Sequence, residues 1–184
     1  MSNADRLSET LASLACGDLL AKLLLDLVKD GEEEDVLYTT AVLQEALDKQ
    51  QATLRSPGAL SDAERSVLDL VLAGRPLTTD EVASRASEKT ELPKSIGHRS
   101  GASTFLNSLV EKELVGKFPH GREILFTSIR EAVFETYKVW LRDEADKGEV
   151  HKTTQANLFA IAQMSGLSVP RVLRELQGIL GRQL

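Results

Sequence analysis

Between Lys94 and Arg122 the chain spaces Arg99, Lys112, Lys117 and His120 among Ser100, Ser103, Thr104, Asn107 and Ser108. These are anion-pairing and hydrogen-bonding groups, cations that attract phosphate or carboxylate and short hydroxyl and amide side chains that meet polar edges. Bond-making chemistry has less to stand on. His98, His120 and His151 are scattered, Cys16 has no companion, and no pair has metal-ligand spacing, so neither a metal nor a cofactor is expected. Cys16 lies among apolar helical residues and reads as a buried structural thiol rather than a nucleophile. Acid pairs such as Glu33 and Glu34 fall in a charge run, where no burial tunes their acidity. A phosphate-binding Gly-Lys loop and a dinucleotide fingerprint are both missing. No catalytic residue is assigned, and an enzyme is not expected.

The chain has 184 residues, enough for one ordinary domain or two small ones, and its 42% hydrophobic and 27% charged residues suit a soluble folded protein. The formal charge of -6 is unevenly spread. Residues 1–84 hold 7 Lys+Arg against 16 Asp+Glu, residues 85–122 hold 7 against 4, and residues 123–184 hold 8 against 8. A second basic island lies at 150–184, where Lys152, Arg171, Arg174 and Arg182 face the single acid Glu175. Binding to an anionic partner depends on where charge lies, so the acidic total does not exclude one. The apolar run "LLAKLLLDLV" contains Lys22 and Asp26 and is too short and too charged to span a bilayer. No leader is read before it, and a single cysteine suits a reducing, cytoplasmic setting.

The elements that must position the polar groups follow from periodicity. Leu7, Leu11, Leu14, Leu20, Leu23, Leu24, Leu27 and Val28 keep helical spacing, started by Ser8 and interruptible at Gly17. The acids Glu32 to Asp35 suit the positive end of a second helix, whose apolar face is Val36, Leu37, Val42, Leu43, Ala46 and Leu47. "RSPGAL" is the clearest linker. "SDAE" then forms a capping box, Ser61 with Glu64, for a helix that buries Val67, Leu68, Val71 and Leu72 and stops at Gly74. A short helix follows, capped by Thr78 or Thr79, and then an irregular stretch in which Pro93, Gly97 and Gly101 argue for a loop. A third helix begins near Ser100 or Ser103 and carries Phe105, Leu106, Leu109, Val110 and Leu114. Val115, Lys117, Ile124 and Phe126 alternate as half-buried strands do, around a turn in "FPHGRE".

In this order, "LTTDEVASRA", "STFLNSLVEKELV" and "GREILFT" resemble the second helix, the recognition helix with its exit, and the returning wing strand of MarR-like winged helix-turn-helix regulators, over about residues 61–130. The connection from about Ser87 to Arg99 is longer than the usual turn. Glu113 stands where such proteins often place Gly for a left-handed cap, so a different helix exit is expected. The expected fold class is mostly α with a small β-hairpin. It comprises an acidic N-terminal helical region (1–56, for assembly), a winged helix-turn-helix (57–127), a linking or dimerisation helix (128–148) and a C-terminal helix-turn-helix-like module (149–184).

The resemblance implies double-stranded DNA as partner and transcription regulation as function. Ser100, Ser103, Thr104, Asn107 and Ser108 would meet base edges, Lys94, Arg99 and Lys112 the phosphates, and Lys117, His120 and Arg122 the backbone or minor groove at the wing. In the terminal module "TTQANLFAIAQMSGLSVPRVLRELQGIL", Ala162 suits a helix crossing, Gly166 a positive-φ turn and Val172 the core. Thr153 or Thr154 would cap its first helix, Pro170 open its second, and Leu167, Leu173 and Leu176 fill the core. Gln155, Arg171 and Arg174 would face a phosphate backbone, or the module is a plain packing hairpin. The stripe Ile129, Val133, Phe134, Tyr137, Trp140 and Leu141, capped by Ser128, reads as core or homodimer contact. A second reading is a winged-helix adaptor for protein partners in a chromosome-organising or replication complex, reached through the acidic N-terminal helices.

Overall fold

The computed structural model describes residues 17–56, 58–89, 92–148 and 155–181. Ser8, Leu7, Leu11, Leu14, Cys16, Pro57, His151, Lys152, Thr153, Thr154 and Arg182 lie outside the described residues. The described chain is mostly helical: α1 (Gly17–Asp30), α2 (Glu33–Leu54), α3 (Asp62–Leu72), α4 (Thr79–Ser87), α5 (Arg99–Glu111), β1 (Gly116–His120), β2 (Glu123–Thr127), α6 (Ile129–Asp146), α7 (Gln155–Ser165) and α8 (Val169–Leu180). It divides into two compact units, Lys49–Ala132 and a second made of Met1–Asp48 with Val133–Leu184.

In the unit Lys49–Ala132 the helix starts are local chemistry. Ser61 accepts from the Glu64 N–H while Glu64 accepts from the Ser61 N–H, and Thr78 and Glu81 repeat that capping box at α4. Val67, Leu68 and Val71 are buried as the spacing requires, Leu72 is half-buried, and α3 ends there, before Gly74. With Leu77, Val82, Ala86, Ile96, Leu106, Leu109, Leu114 and Phe126 they form one core. Each buried aliphatic side chain contributes about 1.5–3 kcal/mol by leaving water.

Gly101 lies inside the first turn of α5, not in the loop. A Cβ there would stand 1.8 Å from the Ser95 carbonyl oxygen, so the connection can lie against the helix only over a glycine. The exit of α5 is also a correction. Glu113 takes φ +56°, the left-handed conformation expected of Gly. The Leu114 N–H donates to the Leu109 carbonyl at 2.9 Å and the Glu113 N–H to that of Val110 at 2.9 Å, a complete Schellman motif. Its hydrophobic contact is present as well, with Leu109 and Leu114 both buried. That packing holds Glu113 in a backbone conformation costing about 1–2 kcal/mol for a residue with a Cβ.

β1 and β2 pair antiparallel from Gly116↔Thr127 to His120↔Glu123, leaving Gly121 and Arg122 as a two-residue turn. Gly121 has φ +64° and Arg122 does not share that sign, the pattern of a type II′ hairpin. Leu77 and Phe126 exchange backbone hydrogen bonds of 2.9 and 2.8 Å, which hook β2 to the segment before α4. The strand alternation departs from expectation at Ile124, which is 47% exposed, while Phe126 is buried; Val115, also buried, precedes β1.

In the other unit, the acids Glu33, Glu34 and Asp35 occupy the first turn of α2, and Val36, Leu43 and Leu47 are buried, whereas Leu37 is exposed. Along α6, Val133, Phe134, Tyr137 and Leu141 are buried and Trp140 half-buried. α7 buries Asn157, Ala160, Ile161, Ala162, Met164 and Ser165, which lie on more than one face, and Asn157 donates to the Val28 carbonyl. Gly166 takes φ +67°, Pro170 sits in the first turn of α8, and Val172 and Leu176 are buried, with Leu167 and Leu173 half-buried.

Candidate nucleic-acid interface

α5 is packed on one side and polar on the other. Ala102, Leu106 and Leu109 point into the core, while Ser100, Thr104, Asn107 and Glu111 recur at helical spacing as an exposed stripe. Within the stripe Thr104 donates to the Ser100 carbonyl at 3.0 Å, which leaves its hydroxyl oxygen able to accept. Asn107 reaches only the half-buried Ser103 hydroxyl, at 3.5 Å, so its amide is nearly uncommitted. Glu111 closes the stripe with an acid and makes its C-terminal end the less suitable one for a phosphate.

The N-terminus of α5 differs from those of α3 and α4. His98 provides no side-chain cap and the first turn holds no acid, whereas α3 and α4 each carry a capping box with acids. The first α5 N–H groups and the positive end of the helix dipole are therefore left for an outside acceptor. Arg99 stands there with its side chain 76% exposed, and its pair with Asp80, itself 63% exposed, is 3.4 Å long. So exposed a pair contributes little and exchanges readily for another anion. The connection before α5 is anchored by buried Ile96, whose N–H donates to the Pro93 carbonyl at 2.9 Å, and it holds exposed Lys94 without a partner among the described residues. Lys89, exposed near the end of α4, is a cation that the sequence reading did not single out.

Two of the expected contact residues are engaged elsewhere. Glu64, only 8% exposed, accepts from Lys112 Nζ at 2.6 Å and from Ser108 Oγ at 2.7 Å, besides its capping bonds to Ser61. The Lys112 ammonium, with the Ser108 and Ser61 bonds, outweighs burial and holds the Glu64 carboxyl down at about 2. Ser108 and Lys112 thus fasten α5 to α3 and do not belong to the open stripe. The capping box was visible in the sequence, but its carboxylate's second use was not. At α4 the capping Glu81 is likewise drawn to about 2 by Arg75.

At the hairpin, Lys117, His120 and Arg122 are exposed and have no side-chain partner among the described residues. On the face of the sheet shared with Lys117, the pair Pro119 and Ile124 is exposed too.

The expected residues of the terminal module belong to the other unit. Gln155 is exposed at the start of α7 and Arg174 on α8. Arg171 donates through Nε to Glu175 at 3.0 Å, and Glu175 also accepts from Lys138 at 2.5 Å. Burial raises the Glu175 carboxyl pKa, but the bonds from Lys138 and Arg171 outweigh it and hold the carboxyl below its ordinary range. Arg171 is therefore already committed to an ion-pair cluster.

Among the described residues no three His, Cys, Asp or Glu converge as metal ligands, and no helix is long and apolar enough to cross a membrane. Comparison with known proteins leaves the chain to be read from its own residues, since no protein-family model, no curated protein and no solved structure matches it.

Proposed function

We propose that the unit Lys49–Ala132 is a winged helix-turn-helix that binds double-stranded DNA, and that the protein is a transcription regulator acting as a cytoplasmic homodimer. The observation that carries the reading is the open stripe Ser100, Thr104 and Asn107 on a helix packed behind by Leu106 and Leu109, with uncommitted cations before it at Lys94 and after it at Lys117 and Arg122. Hydroxyls and an amide on a rigid helix suit base edges, and cations at its flanks suit phosphates. The helix order, the Leu77–Phe126 bridge and the hairpin agree with the same reading. The contact set is narrower than the sequence alone implies, because Ser108 and Lys112 are held by Glu64 and Arg171 by Glu175. Exposed Leu37 and Tyr38 on α2 support an assembly role for the other unit.

The test is fluorescence anisotropy of the full chain against a labelled mixed-sequence duplex over a salt series. Affinity should fall steeply as salt rises, and Lys117→Ala with Arg122→Ala should lower the log–log slope by about 2, roughly one per phosphate contact. An unchanged slope overturns the hairpin contact. Absence of binding at low salt overturns the DNA reading and favours the adaptor. The surplus of acid in the unit of Met1–Asp48 with Val133–Leu184, 17 Asp+Glu against 10 Lys+Arg, is the observation that keeps the adaptor in play.

A further inference from the structure

We infer that the hairpin carries an apolar wedge for the minor groove of duplex DNA, with Ile124 as the inserting side chain and Pro119 as its shoulder. The inference rests on the DNA reading above and adds to it a specific contact and a deformation of the duplex.

Ile124 is one of four large apolar side chains exposed among the described residues, and it is 47% open. It does not complete a core, because the buried hairpin positions are Gly116, Phe118, Phe126 and Thr127. Its cross-strand partner is Pro119, one pair short of the turn, and both project on the face that also carries Lys117. Arg122 stands in the turn beyond them, so a small apolar ridge lies between two uncommitted cations. The platform is stiff. It closes in two residues, and β2 is hooked at its foot through the Leu77–Phe126 bridge.

The occupant follows from this chemistry. A protein strand adding to the sheet would need the open edge of β1, where Pro119 has no N–H to donate and interrupts the ladder. Cations on both sides of an apolar ridge instead match a groove walled by phosphates, where a base step that opens offers the apolar faces of its bases. Branched aliphatic residues and proline inserted between base steps unstack them and bend the duplex away from the protein. Such a contact releases no counterions. Its loss therefore weakens binding without altering the salt slope, the opposite signature to loss of Lys117 or Arg122.

The experiment uses the full chain and a mixed-sequence duplex carrying 2-aminopurine at several steps and a donor–acceptor pair at its ends. Wild-type protein should raise 2-aminopurine fluorescence and shorten the end-to-end distance. Ile124→Ala should lose both signals and bind roughly tenfold more weakly at an unchanged salt slope, since half of the side chain is already covered in the free protein. Ile124→Thr keeps the β-branched shape and strand propensity and should lose the unstacking too, which separates the wedge from hairpin folding. If either variant, folded by circular dichroism, unstacks and bends DNA as wild type does, the wedge is overturned while the DNA reading stands. If wild type binds DNA without unstacking it, the wedge is again overturned alone. If wild type binds no duplex at low salt, both fail together.

Discussion

In the unit of Met1–Asp48 with Val133–Leu184, Lys29 and Lys147 pair with Glu144 at 2.5 and 3.2 Å, Lys138 with Glu135 and Glu175 at 2.7 and 2.5 Å, and Arg171 with Glu175 at 3.0 Å, while Lys22, Arg142 and Arg174 have no side-chain partner among the described residues. In the unit Lys49–Ala132, 12 Lys+Arg stand against 11 Asp+Glu, and Lys94, Lys117 and Arg122 have no partner among the described residues. In the first unit the pairs Lys29–Glu144 and Lys138–Glu175 join helices, and the other three pairs each lie along or at the end of one helix. The second leaves charge facing outward beside a polar helix face. Field at a surface depends on position and pairing, so the total of -6 does not describe the face that carries these three cations.

The comparison is broken most forcefully at Glu64, where the Lys49–Ala132 unit turns the cation Lys112 inward. Glu64→Ala removes the carboxylate half of the α3 capping box, the acceptor of the Ser61 N–H, strands Ser108 and leaves Lys112 half-buried without its carboxylate. An expected loss of about 2–4 kcal/mol is measurable by urea unfolding. The pH dependence gives the same answer from the other side. A carboxyl held near 2 in the folded state contributes stability that is complete above its ordinary value of 4.5 and is lost as pH falls from 4.5 towards about 2. Wild type should weaken over that window by up to about 3 kcal/mol more than Glu64→Gln, which has nothing to titrate there. Equal acid sensitivity of the two would show that the Lys112 pair holds no depressed carboxyl.

Lys138→Ala probes the inward arrangement. The ammonium, its side chain 11% exposed, also lies 5.0 Å from the Phe134 ring centroid, and its removal leaves Glu135 and Glu175 without their shared cation. A loss of about 1–3 kcal/mol in thermal unfolding is expected, with no change in any DNA affinity. Altered affinity would mean that the terminal module and its Arg174 take part in binding. The smallest effect is a gain. Glu113→Gly relieves the left-handed backbone at φ +56° and lifts a carboxylate out of an environment whose burial pushes its pKa up. About 1 kcal/mol of added stability is expected, read as a rise in melting temperature. No rise would mean that the added freedom of glycine in the unfolded chain offsets the relief.

Much of the architecture was legible because it is decided within a few residues. Ser61 with Glu64 and Thr78 with Glu81 cap their helices across three positions. Gly121 makes the hairpin turn, and Gly166 the turn between α7 and α8. The outward set Ser100, Thr104 and Asn107 follows from the position of Leu106 and Leu109 on a 3.6-residue repeat. What could not be read was the fate of side-chain ends. Arg171 had Glu175 four residues on, but the sequence does not say whether that pair forms or stays solvated. Glu113 shows the same limit for the backbone, since composition favours glycine there while the packing of Leu114 imposes the left-handed turn anyway.

The sequence by itself determined the capped starts of α3 and α4, which face of α5 is apolar and where the basic stretch lies, since these depend on neighbours at most a turn away. Tertiary structure alone decided that Ser108 and Lys112 close on Glu64, 44 and 48 positions distant, and that Gly101 must admit the Ser95 carbonyl. It decided as well that Ile124 stays open while Phe126 is covered. A long side chain binds whichever acceptor folding carries within about 3 Å of it, and a strand residue is buried only if another element arrives over its face.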